Sequence, residues 1–579
     1  MNKKIYFTIF LIISSIYCPS MKPITDQEIE AMLPIPEVPD QELYNSISQN
    51  FPDIQLKYSS ENTRNGDATI QGAILINDQT IEVPRFFLAF LHHLLLNNQA
   101  TKNKKARIRR TIGNDRPLAP EEINFLGERT PICKKEIEHL LGYQIEESDT
   151  PHIALVGSGG GFRAMLSTAG ACSGLFESNL LHTLEYIGGV SGSTWFISAW
   201  LASKEPFDKF YPAFKKRVAD TLLHEAFTTG CINILTFIGI ITETFIRRLA
   251  YREVPTIIDL YGLLLGLELF DPHSKENYAE CTLSSRANYV MSGQFPMPIC
   301  MSVQPYNNNT KFHEIEFTPF EVLHYGINGA CPTFGFGRKF KCGKSTTNHP
   351  ALTLGYLMGI WGSAFTLALK QIFPMIAHEL KPSFLFKPLT MAITETPLGD
   401  FQLFPSYIRN PVRHFQNGGD ANSKFHIHID AGAQYNIPIQ PILRKERNLE
   451  MIIIVEASGN CKDAPNLTDL EKEARAAGRP FPVIDYEKAK SQPYTIFNDG
   501  LDANTPIIVY LPLAKNDAYD ASFDPQALLA NSGDFLNTGN FAYTPAQIEL
   551  LTGLMAFNAK AAVPEIKQAI ETLIQRKHR

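Results

Sequence analysis

The chain has 579 residues, 44% of them hydrophobic, which is enough to bury a large core. Its formal net charge of −6 gives no reason to expect nucleic-acid binding, which wants a strongly basic face. Nine cysteines stand singly at 18, 133, 172, 231, 281, 300, 331, 342 and 461 with no C-x-x-C pair, the pattern of isolated buried thiols rather than a disulfide or zinc framework.

At the N-terminus, Met1-Asn2-Lys3-Lys4 precedes the apolar run Ile5–Tyr17 and the small-residue segment Cys18-Pro19-Ser20. These are the parts of a secretory signal peptide over residues 1–20, and the run is too short to span a bilayer comfortably. The expectation is export to a secreted, periplasmic or cell-envelope location, with transient association with a membrane surface. Residues 21–115 read as an extension of unclear structure. Met21–Tyr44 is proline-rich and acidic, and Phe86–Leu91 belongs to a short apolar helix. Lys102, Lys104, Lys105, Arg107, Arg109 and Arg110 then cluster, reading as a solvated linker or as an attractor of anionic lipid.

Residues 116–579 carry the chemistry. Ile153-Ala154-Leu155-Val156 reads as a buried strand running into Gly157-Ser158-Gly159-Gly160-Gly161 and then a helix from about Phe162. Such a glycine-rich strand-to-helix turn presents bare backbone N–H groups at a helix N-terminus, suited to a developing anion. No lysine follows in the phosphate-loop position, so a nucleotide site is disfavoured. Some 30 residues on, Gly189-Val190-Ser191-Gly192-Ser193 approximates the G-x-S-x-G elbow, with Ser193 replacing the last glycine. Ser191 projects from a sharp strand-to-helix turn, and Ser193 reads as a helix N-cap. A nucleophile on one turn and an oxyanion hole on the other is the logic of acyl transfer.

Further along, Lys424–Asp430 alternates apolar Phe425, Ile427 and Ile429 with His426, His428 and Asp430, so His428 and Asp430 share a strand face. That leaves a Ser–His–Asp triad geometrically conceivable, against a reading of both histidines as solvated. Met451–Val455 and Pro506–Leu511 read as buried strands, and Pro564–Arg579 as a terminal helix. Strands alternating with helices predict an α/β fold, a three-layer α/β/α sandwich around a central mixed sheet.

GSGGGFRAM (157–165) followed by GVSGSTW (189–195) resembles the catalytic domain shared by group IV cytosolic phospholipases A2 and fungal phospholipase B-type lysophospholipases. Segments 121–142, 261–266, 293–299, 316–321, 354–365 and 429–438 extend the resemblance from about residue 116 to the C-terminus. It implies a patatin/cytosolic phospholipase A2-like fold and a serine lipid acyl hydrolase. It also implies Ser191 as nucleophile, Asp430 as its base, Gly160 and Gly161 as oxyanion hole, and Arg163 as holder of the substrate phosphate. With such a dyad His428 has no catalytic part. An apolar run at 231–241 falls where the family places a lid, and reads equally as a core helix. Residues 21–115 lack the clustered aspartates of calcium loops, so neither calcium nor any other metal or cofactor is expected. The expected partner is a phospholipid membrane or micelle surface, with no nucleic acid and no obligate protein partner. Glu456-Ala457-Ser458 departs from the aspartate common at that place. The competing reading is a catalytically idle lipid-binding protein that keeps the fold.

Overall fold

The computed structural model describes residues 54–59, 69–76, 79–83, 104–111, 116–219, 256–270, 281–306, 311–327, 329–363, 406–415, 423–500, 502, 504–530 and 534–578. The chain divides into two compact units, residues 1–99 with 233–239, and the remainder. The first contains an antiparallel three-stranded sheet, β1 (Ile54–Ser59), β2 (Thr69–Ile76) and β3 (Gln79–Val83), in the order β1-β2-β3. Ile54 pairs with Ile74 and Gly72 with Val83. The sequence reads this region only as an extension of unclear structure, although Ile54, Leu56 and Tyr58 alternate with Gln55, Lys57 and Ser59 in β1. The apolar segments at 5–17, 86–91 and 231–241 lie outside the described residues.

The second unit is built on a twelve-stranded mixed sheet. Its elements begin with β4 (Arg109–Arg110), α1 (Pro120–Leu141), β5 (Ile153–Gly157), α2 (Gly161–Glu177), β6 (Tyr186–Gly189), α3 (Gly192–Ser203), α4 (Phe207–Ala219) and α5 (Ile257–Leu269). Then come β7 (Met297–Tyr306), β8 (Lys311–Phe317), β9 (Glu321–His324), β10 (Gly329–Pro332), the hairpin β11 (Phe340–Lys341) and β12 (Lys344–Ser345), and α6 (Leu354–Trp361). The last are β13 (Ser406–Arg409), β14 (Phe425–Asp430), β15 (Met451–Glu456), α7 (Pro465–Ala476), β16 (Thr495–Phe497), β17 (Ile507–Pro512) and α8 (Pro545–Lys577).

Strands β17, β15, β5, β6 and β7 lie side by side and parallel. The sheet continues antiparallel through β8, β9 and β10 to β4. The parallel strands are apolar throughout because both faces are covered. In β15, Met451, Ile453 and Val455 join one core with α2 and α8, while Ile452 and Ile454 join a second core with Leu467 and Leu470 of α7. Two cores on opposite faces of one sheet make the three-layer α/β arrangement expected from the alternation of elements.

One topological detail positions everything that follows. β7 offers a single edge to two different strands. Residues Met297–Cys300 pair with β6, and just beyond, Ser302 and Val303 pair with β14. β6 is parallel to β7 and β14 antiparallel, so their C-terminal ends meet head-on along that edge. Gly189 lies opposite Cys300 and Asp430 opposite Ser302. Two residues of strand separate those positions, about 7 Å.

Candidate active site

The elbow forms where β6 stops. Ser191 has φ 50° and ψ −121°, a conformation that costs a non-glycine residue about 1–3 kcal/mol and holds its side chain clear of the strand. It stands at the N-cap of α3 and is buried. Neither the strand nor the helix accommodates that backbone, so the turn persists only because apolar residues clamp both sides. Ile187 and Val190 are fully buried before and within the turn, as are Phe196 and Ile197 after it.

The glycine turn between β5 and α2 lies against the elbow. A Cβ on Gly192 would fall 1.9 Å from the Gly161 carbonyl oxygen, so the two backbones approach as closely as glycine alone permits. Gly160 has φ 145°, which hands the chain over to α2. The preceding N–H groups are committed, that of Ser158 to Val455 O at 2.9 Å and that of Gly159 to Asn436 O at 3.0 Å. Among the described residues the Gly160 and Gly161 N–H groups have no backbone acceptor, and they open the N-terminus of α2.

Asp430 ends β14, buried, with Oδ1 accepting the Gly432 N–H at 2.8 Å. Asn436 ties its loop to the glycine turn. Its Nδ2 donates to Gly159 O at 3.3 Å, and its Oδ1 lies 3.0 Å from where a Gly432 Cβ would be. Ser191 Cβ is 3.1 Å from the corresponding point on Gly159. The structure thus brings Ser191, the glycine turn and the Asp430 loop into one cluster. Tyr261 of α5 faces the same cluster, its phenol pushed well above the usual range by burial and by the negative charge of Asp430.

Arg163 sits in the first turn of α2 and is 1% exposed. Its Nε donates to Ala457 O at 2.8 Å and Nη1 to Leu536 O at 2.5 Å. Its Nη2 reaches toward Gly160, 2.6 Å from where a Cβ on that glycine would be, and has no partner among the described residues. Two nitrogens therefore anchor the glycine turn to β15 and to the segment before α8, leaving one at the turn itself.

Five residues here play parts that local sequence signals did not reveal. Ser193 is no cap, because Ser191 occupies that position. Its hydroxyl instead donates to Ser158 O at 2.5 Å and meets Thr168 Oγ1 at 2.8 Å, cross-bracing the two turns. Ser158 Oγ in turn accepts the Ala457 N–H at 2.7 Å. The histidines are not solvated either. His426 and His428 share the buried face of β14 with Asp430, and burial pushes their imidazoles down to about 4 and about 3. His428 Nδ1 lies 3.1 Å from Ser302 Oγ, among the rings of Phe317 and Phe336. Glu456 keeps an acid's role at the end of β15, accepting from the Ser458 N–H at 3.0 Å and from Asn466 Nδ2 at 2.5 Å.

Residues 153–484 match the lysophospholipase catalytic domain family. The chain belongs to that family. It is 27% identical to human cytosolic phospholipase A2 zeta over 542 residues, covering 79% of this chain and 61% of that protein. Mouse cytosolic phospholipase A2 delta is 24% identical over 541 residues, covering 79% and 63%. The chain therefore spans about three-fifths of the length of these relatives. Human GIVD cytosolic phospholipase A2 superposes with a TM-score of 0.68 at 19% identity, covering 90% of this chain and 70% of that one. The same human protein in complex with methyl gamma-linolenyl fluorophosphonate gives 0.63. At that identity the superposition establishes the shared fold, an α/β architecture on a mixed sheet.

The family relatives correct the expectation of export. The proteins this chain resembles are named cytosolic phospholipases A2. A 13-residue apolar run behind two lysines has the same composition whether or not a secretory machinery reads it, so the N-terminal pattern did not discriminate. Burial raises the thiols of Cys133 and Cys461 to about 12. No described helix is long and apolar enough to cross a membrane.

Proposed function

We propose that this chain is a serine lipid acyl hydrolase that cleaves fatty acyl esters of glycerophospholipids or lysophospholipids at a phospholipid membrane or micelle surface, without calcium. The observation that supports this reading is the meeting of β6 and β14 on one edge of β7, where the strand that leads into Ser191 and the strand that ends in Asp430 converge.

In the first step Ser191 Oγ attacks the ester carbonyl carbon while its proton passes to the Asp430 carboxylate. The former carbonyl oxygen takes up negative charge and accepts hydrogen bonds from the Gly160 and Gly161 N–H groups, each such donor contributing about 3–4 kcal/mol to the barrier reduction. The carbon–oxygen bond to glycerol then breaks, and the proton on Asp430 goes to the departing alkoxide. Water next loses a proton to Asp430 and attacks the acyl-Ser191 ester. The fatty acid departs, and Ser191 recovers its proton. An aspartate is a weak base toward an alcohol, so this route depends on the oxyanion hole stabilising charge as it develops. Arg163 Nη2 meets the substrate phosphate at the turn, while its other two nitrogens hold the turn in place.

The test is release of fatty acid from labelled phosphatidylcholine and lysophosphatidylcholine by the parent chain, Ser191→Ala and Asp430→Ala, with and without a calcium chelator. The parent is expected to be active in both conditions and the two variants to lose activity. Equal release from all three proteins would leave an idle lipid-binding protein.

A further inference from the structure

Far from the elbow, five steps along the sheet and about 24 Å from β6, the basic segment 104–110 is no linker. It pairs with a hairpin more than 200 residues away in the chain. Ile108 N donates to Gly343 O and Ser345 N to Ala106 O, both at 2.9 Å. Lys341 stands directly opposite Lys344 in that hairpin, and Lys344 directly opposite Arg107 in the neighbouring segment. Opposed residues put their side chains on the same face, and the two-residue alternation adds Lys105 and Lys339 to it. All five are exposed, while Ala106 and Phe340 between them turn inward and are buried.

Like charges directly opposed across strands destabilise a sheet. Here three stand in one row with a fourth and fifth alongside, in a chain whose net charge is negative. Segments 104–111 and 338–350 contain no acidic residue. The neighbouring acid, Glu321, is already held by Arg109 Nε at 2.9 Å and Nη2 at 2.5 Å. None of the five cations makes an ion pair among the described residues. Edge strands carry a lysine or two to prevent strand-to-strand aggregation, but that purpose does not call for a row of opposed charges on three strands. Such a row repels itself until an anionic plane lies over it.

We propose that this ribbon is a docking face for a bilayer rich in anionic phospholipid headgroups. The proposal rests on the reading of the chain as a lipid acyl hydrolase, which must hold a lipid surface while its site works. A flat face of point charges suits a plane of headgroups. Single-stranded nucleic acid would want aromatic rings interleaved with the cations for stacking, and the exposed positions of these strands supply none.

Ser191→Ala protein, which leaves lipid uncleaved under the proposed mechanism, is sedimented with vesicles of phosphatidylcholine alone and with vesicles containing about one-third phosphatidylserine, where each cation near the surface changes partition about fivefold. Binding is expected only to the anionic vesicles and to weaken as salt rises. In the same background Lys105→Gln, Arg107→Gln, Lys341→Gln and Lys344→Gln together should lower it at least tenfold, whereas Lys341→Arg with Lys344→Arg should preserve it. Placed in the active chain, the four glutamines should leave hydrolysis in zwitterionic micelles unchanged. Equal binding to both vesicles, or undiminished binding by the four-glutamine protein, overturns the docking face. So does preferential capture of single-stranded RNA at the same salt. If the combined variant aggregates, Arg107→Gln and Lys341→Gln singly must each give about a fivefold loss. An inactive parent that still binds through the ribbon would refute the hydrolase reading and leave this one standing.

Discussion

Gly192→Ala tests whether contact between the two turns sets the reactive geometry. The added methyl would lie 1.9 Å from Gly161 O, 2.7 Å from its carbonyl carbon and 3.1 Å from its Cα. Ordinary contact is well over 3 Å, so one turn must retreat by more than an ångström. Gly161 carries both the obstructing carbonyl and one of the two proposed oxyanion donors. A shift of that size takes its N–H out of hydrogen-bond reach, a loss of about 3–4 kcal/mol in the transition state, or roughly 100- to 1000-fold in kcat. Overpacking adds about 1–3 kcal/mol of destabilisation without unfolding so large a core. Steady-state kcat and KM on labelled phospholipid, with a thermal melt, separate the two effects. The expected result is a kcat collapse at nearly constant KM in a folded protein. Gly127→Ala is the control, since nothing lies within 4 Å of its methyl and it sits inside α1. Activity of Gly192→Ala within about threefold of the parent would refute the reasoning, because no donor worth about 3 kcal/mol would then have been displaced.

Arg163→Lys keeps the charge but loses the fork that spans Ala457 O and Leu536 O; it should destabilise the protein by about 2–4 kcal/mol and lower kcat/KM more on phospholipid than on a neutral short-chain ester, as paired melts and kinetics would show. His426 and His428 are neutral in the fold with their titration pushed down to about 4 and about 3. The unfolded chain protonates them near 6.5, so the stability they confer is complete above that pH and drains away as pH falls toward 4 and 3. His428→Asn should flatten the loss of melting temperature between pH 7 and pH 4, within about one unit at either end. Burial raises the Glu314 carboxyl to about 8, so its contribution is lost as pH rises from the ordinary carboxylate range through 8. Glu314→Gln should therefore stabilise the protein by about 1–3 kcal/mol at pH 8 and by much less at pH 5, measured by denaturant unfolding.

What was legible in the chain was local. The glycine turn and the elbow each announce themselves within nine residues, because a strand that must turn sharply into a helix needs glycine where backbones touch. β15 and β17 were legible as apolar runs, since strands covered on both faces carry no alternation. The alternation in β14 placed His426, His428 and Asp430 on one face, but it does not say whether anything covers that face. The rings of Phe317 and Phe336 lie against His428 and that of His324 against His426, and both histidines are buried. Ser193 reads as a cap because serine near a helix start usually caps, whereas here the Ser158 carbonyl and the Thr168 hydroxyl engage its side chain from 35 and 25 residues away. The pairing of β14 with β7, and of the basic segment with β12, joins residues separated by more than a hundred positions, for which a single sequence carries no register signal. In β1, Ile54, Leu56 and Tyr58 alternate with Gln55, Lys57 and Ser59, a strand period present in the sequence although residues 21–115 read as an extension of unclear structure, and the N-terminal pattern misled about export because its composition does not reveal whether a secretory machinery reads it.

The account stands most directly on Ser191 attacking an electrophile under the influence of Asp430. The measurement is intact mass and peptide mapping after incubation with a long-chain alkyl fluorophosphonate, a reagent that captures activated serines. A single adduct on the peptide bearing Ser191 is predicted, formed rapidly by the parent chain and at least 100-fold more slowly by Asp430→Ala, as general-base assistance of that order requires. An adduct on another residue, or equal labelling rates with and without the aspartate, would contradict it.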